Sequence, residues 1–153
     1  MAAPLRAQGG WSPVSKLADY VGKWLAGELD LAPITAFLGV RPVSLGDGEA
    51  QVELTADKRL HNAMGTVHGG ILCDLADVAM GTALATVTAE GESFTTLQLQ
   101  ASYFLPVVDG RVSAYARVVR RGRGTAHLEC DLKDGEGQLV ARVSSVCAIR
   151  QRG

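Results

Sequence analysis

Two carboxylates stand where the chain is otherwise apolar and carries no cation. Asp74 and Asp77 fall within GGILCDLADVAMGTALATVT, residues 69–88, a stretch without Lys, Arg or His. Placed at about 100° per residue, Ile71, Leu72, Leu75, Val78, Ala79, Met80, Ala83 and Leu84 cover nearly the whole circumference. A helix apolar all round is a buried one. An unpartnered carboxylate in such a helix either has a raised pKa or serves as a working group. Asp74 sits in the first turns, where the helix dipole favours negative charge, and reads as a solvated edge. Asp77 lies a turn further in, where the dipole helps less, so it is the candidate acid.

The same helix is preceded by His68-Gly69-Gly70. Glycines there let a ligand approach the free backbone N–H groups at the positive end of the helix dipole. Such a site suits a carbonyl oxygen that becomes an oxyanion during acyl transfer; the plainer alternative is a tight loop-to-helix turn. Asp77 lies eight residues beyond Gly69, which is ~12 Å along a helix axis. A carboxylate cannot reach across that gap to a carbonyl held at Gly69 of its own helix. If both serve one reaction, the acid comes from a second copy whose helix runs antiparallel, and a symmetric dimer has two such sites.

The remaining elements must position that helix. Val14, Leu17, Val21, Trp24, Leu25 and Leu29 predict an amphipathic helix over 14–31, after a loose tail at 1–13. A helical turn at 34–38 ends at Gly39. Gly46-Asp47-Gly48 between two alternating stretches predicts a β-hairpin. After the long helix, residues 94–104 alternate, with Leu97, Leu99, Ala101 and Tyr103 on one face and Thr96, Gln98, Gln100 and Ser102 on the other. Strands at 112–119, 125–133 and 139–149 follow. The fold class is α+β, an antiparallel sheet on one side of the long helix.

Composition bounds the function. The 153 residues suit one domain, and 47% hydrophobic against 20% charged residues is a folding composition. A net charge of -1 and 5% aromatics argue against nucleic acid as a partner. Cys73, Cys130 and Cys147 are odd in number and widely spaced, which fits small core residues in a reducing cytoplasm and neither a disulfide scaffold nor a zinc site. No metal and no cofactor is called for. The N-terminus lacks the apolar core of a secretory signal, and no uncharged run is long enough to span a membrane.

The run His61-Asn62-Ala63-Met64-Gly65-Thr66-Val67-His68-Gly69-Gly70, followed by Asp77, resembles the hotdog-fold acyl-CoA thioesterases, most of all their phenylacetate-pathway and 4-hydroxybenzoyl-CoA branch. The resemblance extends over residues 34–150, leaving 1–33 as an N-terminal tail and helix. It implies a long helix wrapped by an antiparallel sheet, and homodimers that join their sheets and pair again into homotetramers. It implies hydrolysis of an acyl- or aryl-CoA, with Asp77 as base or nucleophile and the Gly69 N–H polarising the thioester C=O. Asn62 would orient water or thioester, His68 and Gly70 would belong to the substrate-binding loop, with His68 mainly shaping it, and Thr96 (or Thr95) would hold the water. Some relatives carry Glu with a Thr one turn later; Asp77 is followed by Gly81, so that variant is absent.

A CoA substrate brings phosphates, and Arg120-Arg121-Gly122-Arg123-Gly124-Thr125 is the dense basic cluster. Arginine forks and glycine N–H groups suit a phosphate, with Arg123, Gly124 and Thr125 as contacts; a solvated turn is the plainer reading. His127, Glu129, Asp131 and Lys133 read as the wet face of a strand. Trp11 and Trp24 cover either an edge or an acyl pocket. Two rival functions remain. A hotdog hydratase or dehydratase needs a His/Asp pair in D-x(4)-H-N-P-x-H, and this chain lacks that Pro and Asp. A non-catalytic acyl-CoA sensor would carry a DNA-binding extension, for which this N-terminus is too short and too neutral.

Overall fold

Alternation of apolar and polar residues puts one face of each central strand into the core. In the computed structural model, which describes residues 6–7 and 11–151, strands β2 (Arg41–Gly46) and β3 (Glu49–Ala56) form the expected hairpin. Gly48 closes it at φ 72°, a left-handed conformation that favours glycine. The turn is tied to the far end of the long helix by Gly48 N–H donating to Thr86 Oγ1 at 2.9 Å. Strands β4 (Glu92–Tyr103), β5 (Gly110–Arg121), β6 (Thr125–Lys133) and β7 (Leu139–Gln151) complete the sheet. Its order is β1-β2-β3-β5-β6-β7-β4, antiparallel throughout except for β1 (Arg6–Ala7), which pairs parallel with Ser44 and Leu45 of β2. That pairing corrects the expectation of a loose tail at these two residues; the other tail residues before Trp11 lie outside the described part.

The long helix, α3 (Gly69–Ala85), lies against β3, β5 and β6. Leu75, Ala76, Ala79, Met80, Ala83 and Leu84 are fully buried against Val52, Leu54, Val112, Ala114, Leu128, Leu132 and Val143. This is the antiparallel sheet wrapped on a long helix that the sequence predicts. α3 starts two residues before its apolar run, so Gly69 and Gly70 are its first helical residues. The N-terminal helix α1 (Lys16–Leu25) is shorter than predicted. Ser15 caps its start by accepting from Ala18 N–H at 3.1 Å, and Gly27 at φ 76° turns the chain away just beyond its end. Val21, Trp24 and Leu25 enter the same core as α3, which places Trp24 in packing; Trp11 lies against Gly22. Helix α2 (Pro33–Leu38) ends at a left-handed Gly39, as the sequence predicts.

Strand β4 departs from strict alternation. Its pairing with β7 runs Thr96↔Cys147 and then Gln98↔Val146, so Leu97 is an extra residue in a β-bulge. Before the bulge, Phe94 and Thr96 lie opposite the buried Ile149 and Cys147; after it, Leu99, Ala101 and Tyr103 lie opposite the buried Ser145, Val143 and Ala141. The bulge thus puts Thr96 on the same helix-facing side as Leu99 and Tyr103. It corrects the predicted division of Thr96 from that row and leaves Leu97 63% exposed.

Candidate active site

Asp77 projects from the middle of α3 and is half-buried. Thr96, brought to the helix side by the bulge in β4, donates its hydroxyl to Asp77 Oδ1 at 3.0 Å. A hydroxyl donor to one oxygen holds the carboxylate in one rotamer and leaves the second oxygen for a ligand. Thr96 therefore acts on the acid itself, and Thr95 is turned to the opposite face of the sheet. Asp74 is exposed, as expected of a solvated edge. Partial burial first, then the charge of Asp77, raises its pKa above the usual carboxylate value.

The start of α3 is organised around two glycines. Gly70 N–H donates to His68 Nδ1 at 2.9 Å, so the His68 ring caps the helix and its neutral form carries the proton on Nε2. Ile71 N–H donates to His68 O at 2.9 Å. Of the first three helical N–H groups, only that of Gly69 has no acceptor among the described residues. The free amide is thus that of Gly69, the donor that the resemblance implies, and the Gly70 amide is taken by the cap.

Neither glycine has a positive φ. A Cβ on Gly70 would lie 3.0 Å from His68 Nδ1, and one on Gly69 would lie 2.9 Å from Tyr103 Oη. The pair is therefore glycine because two side chains of the chain itself pack over it. Tyr103, from the end of β4, donates its hydroxyl to Gly69 O at 2.9 Å and lies 3.1 Å from Cys73 Sγ. Burial first, then the Cys73 thiol, pushes the Tyr103 phenol up to about 12. Sequence reasoning missed Tyr103 and Cys73. The available signal was a hydroxylated aromatic ending an otherwise apolar row, just before Pro106.

Asn62 is engaged in its own loop. Its Oδ1 accepts from Met64 N–H at 2.9 Å, and its Nδ2 donates to Thr66 Oγ1 at 3.1 Å. Gly65 at φ 78° makes the turn possible. His61 donates from Nε2 to Val108 O at 2.6 Å, which fastens the loop to the segment after β4. The basic turn is a separate feature. Arg121 pairs with Glu92, whose carboxylate also accepts Ala89 N–H, so Arg121 is a structural cation. Arg120 and Arg123 have no ion pair among the described residues. Gly124 O is taken by Ile149 N–H at 2.9 Å. Thr125 pairs with Ala148, which pairs with Thr95; two strand spacings put Thr125 ~10 Å from Thr95. Both face away from α3, so Thr125 shares the Thr96 end of the sheet without facing Asp77.

Along the α3–β4 seam one chain thus sets an orphan amide at the start of the helix and a hydroxyl-oriented acid ~12 Å further on. They cannot serve one carbonyl together. In a cavity of about 510 Å³ on the outer sheet face, Glu129 and Asp131 are paired with Arg117 and Arg142. Cys130 is a buried thiol, pushed up to about 12 by burial and then by Asp131, and is inert.

The model of the thioesterase superfamily matches residues 64–141, which include Gly69, Asp77 and Thr96. The proofreading thioesterase EntH of Klebsiella pneumoniae is 30% identical over 105 residues, covering 69% of this chain and 77% of EntH. The conserved protein PA5202 of Pseudomonas aeruginosa superposes with a TM-score of 0.74 at 35% identity, covering 78% of this chain and 94% of that one. The phenylacetic acid degradation protein PaaI of Thermus thermophilus, solved as a point mutant, gives a TM-score of 0.71 at 32% identity, covering 76% and 98%. Sequence motif, wrapped helix and family match agree: this chain belongs to the thioesterase superfamily, is a hotdog-fold enzyme similar to its phenylacetate-pathway branch, and hydrolyses acyl thioesters.

Proposed function

We propose that the thioester is an acyl- or aryl-CoA, hydrolysed to free acid and CoA in a site completed by a second copy of the chain. The observation that carries this reading is the single orphan amide of Gly69, set ~12 Å along the helix from the acid. In an antiparallel pair of α3 helices, Asp77 of each copy meets Gly69 of the other. β4 supports such a pairing: it is a twelve-residue strand at the sheet edge, with Leu97, Tyr103, Phe104 and Leu105 exposed at or just beyond its length. Joined edges give a homodimer, and two dimers pair as a homotetramer.

In that site the Gly69 N–H binds the thioester oxygen and stabilises the negative charge it gains. Asp77, held by Thr96, either takes a proton from the water that attacks the carbonyl carbon, or attacks that carbon itself to give a mixed anhydride that water then hydrolyses; in both routes the C–S bond breaks and the thiolate leaves. Asn62, whose Nδ2 has a second hydrogen beyond the bond to Thr66, orients water or thioester, while His68 and Gly70 form the substrate-binding loop. Arg123, with the Gly124 and Thr125 backbone, contacts a CoA phosphate. The reduced thiols Cys73, Cys130 and Cys147 suit the cytoplasm, and no helix among the described residues is long and apolar enough to cross a membrane.

A panel of acyl-CoAs scored by thiol release tests the activity, and hydration without CoA release would instead favour a hydratase. Subunit mixing tests the shared site. Asp77→Asn and Gly69→Ala homodimers are each expected to be nearly inactive. A randomised equal mixture should recover about a quarter of wild-type activity, because half the dimers carry one intact site of two. No recovery in mixtures shown to exchange subunits would overturn the shared site.

A further inference from the structure

The Gly69 amide can act as an oxyanion donor only if its peptide is held in one orientation, and the residues around it form a continuous hydrogen-bond chain. Tyr103 has a single hydroxyl hydrogen, which goes to Gly69 O at 2.9 Å. The contact of 3.1 Å with Cys73 Sγ therefore has the thiol as donor and Tyr103 Oη as acceptor. The carbonyl of Gly69 and the N–H of Gly70 belong to one peptide unit, and that N–H donates to His68 Nδ1 at 2.9 Å. The chain runs from Cys73 S–H to Tyr103 Oη–H, across the 69–70 peptide, to the His68 ring. Bonds in series polarise one another, so each end strengthens the other.

We infer that Tyr103 is a positioning residue of the thioesterase: it clamps the 69–70 peptide against the His68 cap and so aims the adjacent Gly69 N–H. This rests on the reading of Gly69 as the carbonyl donor. Two independent features support it. The hydroxyl makes a directed bond to the peptide next to the donor, and the ring occupies the space where any Cβ at position 69 would stand, with Cζ at 3.0 Å. Tyr103 also lies on β4 beyond the bulge, so the strand that carries Thr96 to the acid carries Tyr103 to the donor. One strand thus orients both halves of the chemistry.

Tyr103→Phe keeps the ring and removes the bond. The expected result is a fall in kcat of about five- to tenfold, the worth of one hydrogen bond felt in the transition state, with KM for the same CoA ester within about twofold. In proton–nitrogen NMR the Gly70 amide should shift upfield and exchange faster, because its peptide has lost the polarising donor. Cys73→Ala should reproduce a smaller part of both effects, and Cys73→Ser, which restores a donor, should return them. A wild-type kcat with an unmoved Gly70 amide in Tyr103→Phe would overturn the inference. So would a rise in KM at constant kcat, which would make Tyr103 a substrate contact. If the wild-type protein hydrolyses no acyl-CoA, the substrate reading fails by itself, and the Gly70 amide still decides the clamp.

Discussion

The bond from Thr96 Oγ1 to Asp77 Oδ1 can be tested as a thermodynamic cycle. Thr96→Val is close to isosteric and keeps a β-branched residue in a strand, so it removes a hydroxyl and little else. A hydrogen bond to a charged acceptor contributes ~1.5–3 kcal/mol. At 3.0 Å this one is of ordinary length, and Thr96 is exposed in the single chain, so the lower end of that range applies. Each ~1.4 kcal/mol is tenfold in rate, and Thr96→Val should therefore lower kcat by about tenfold. Asp77→Asn keeps the Oδ1 acceptor but removes the charge that activates water or attacks carbon, and should lower kcat by at least about a hundredfold. On the proposed reading Thr96, which bonds Asp77 directly, acts through it. In the Asp77→Asn background, Thr96→Val should then cost less than about twofold, so the two losses do not add. The assay is thiol release from one acyl-CoA at saturating concentration, with oligomeric state checked for each variant. A full tenfold loss from Thr96→Val in the Asp77→Asn background would refute this assignment and return Thr96 to the water or the substrate.

Three further outcomes follow from the charges. Arg123→Ala should raise KM for CoA esters several-fold and leave pantetheine esters unchanged; an equal loss on both would remove Arg123 from phosphate binding. Asp74 has its folded-state pKa above 3.8, so the folded chain holds that proton more tightly than the unfolded chain does. Its stabilising contribution is complete below 3.8 and is lost as pH rises through the raised value, so Asp74→Asn should raise Tm at neutral pH and lose that gain near pH 3. Asp131 behaves oppositely: the hydrogen bond from Arg142 holds its pKa below 3.8, and its contribution is present above that value and lost as pH falls through the folded pKa. Arg142→Gln should therefore flatten the acid limb of a Tm-against-pH curve, and an unchanged limb would show that the pair contributes nothing in solution.

The fold was legible wherever period and punctuation agreed. The apolar run after Gly70 marks α3, Gly46-Asp47-Gly48 marks the β2–β3 hairpin, and Gly39 marks the end of α2, because each signal has a local physical cause. β4 was not legible in the same way. Its residues alternate cleanly, and alternation alone puts Thr96 on the face away from Leu99 and Tyr103. The shift at Leu97 is decided by pairing with β7, where Cys147 and Val146 oppose Thr96 and Gln98. No residue in Thr95–Gln98 announces that extra position. β1 was hidden for a similar reason: two residues paired to an edge carry no pattern of their own.

The site shows the same division between local and long-range causes. Asp77 could be singled out from its own helix, because an acid without a cation in an apolar run is anomalous wherever the sheet lies. The resemblance implies Gly69 as the donor, but the physical ground for preferring it to Gly70 is not local, since both are glycine and both begin the helix. It turns on which N–H the His68 ring takes, and that ring reaches the second amide. The reason for glycine also changes. Neither position needs a left-handed backbone; each needs the absence of a side chain, one beneath His68 and one beneath Tyr103. A ligand-approach argument and a packing argument predict different variants. If glycine served only to admit the substrate, Gly69→Ala would lower activity through KM. Because Tyr103 occupies the Cβ position, Gly69→Ala must push the ring off Gly69 O, and kcat should fall even for the smallest acyl group. Turnover at the level of Tyr103→Phe alone on combining Gly69→Ala with Tyr103→Phe would show that the hydroxyl tip was the whole obstruction, whereas a deeper loss would show that the ring itself also crowds the added methyl.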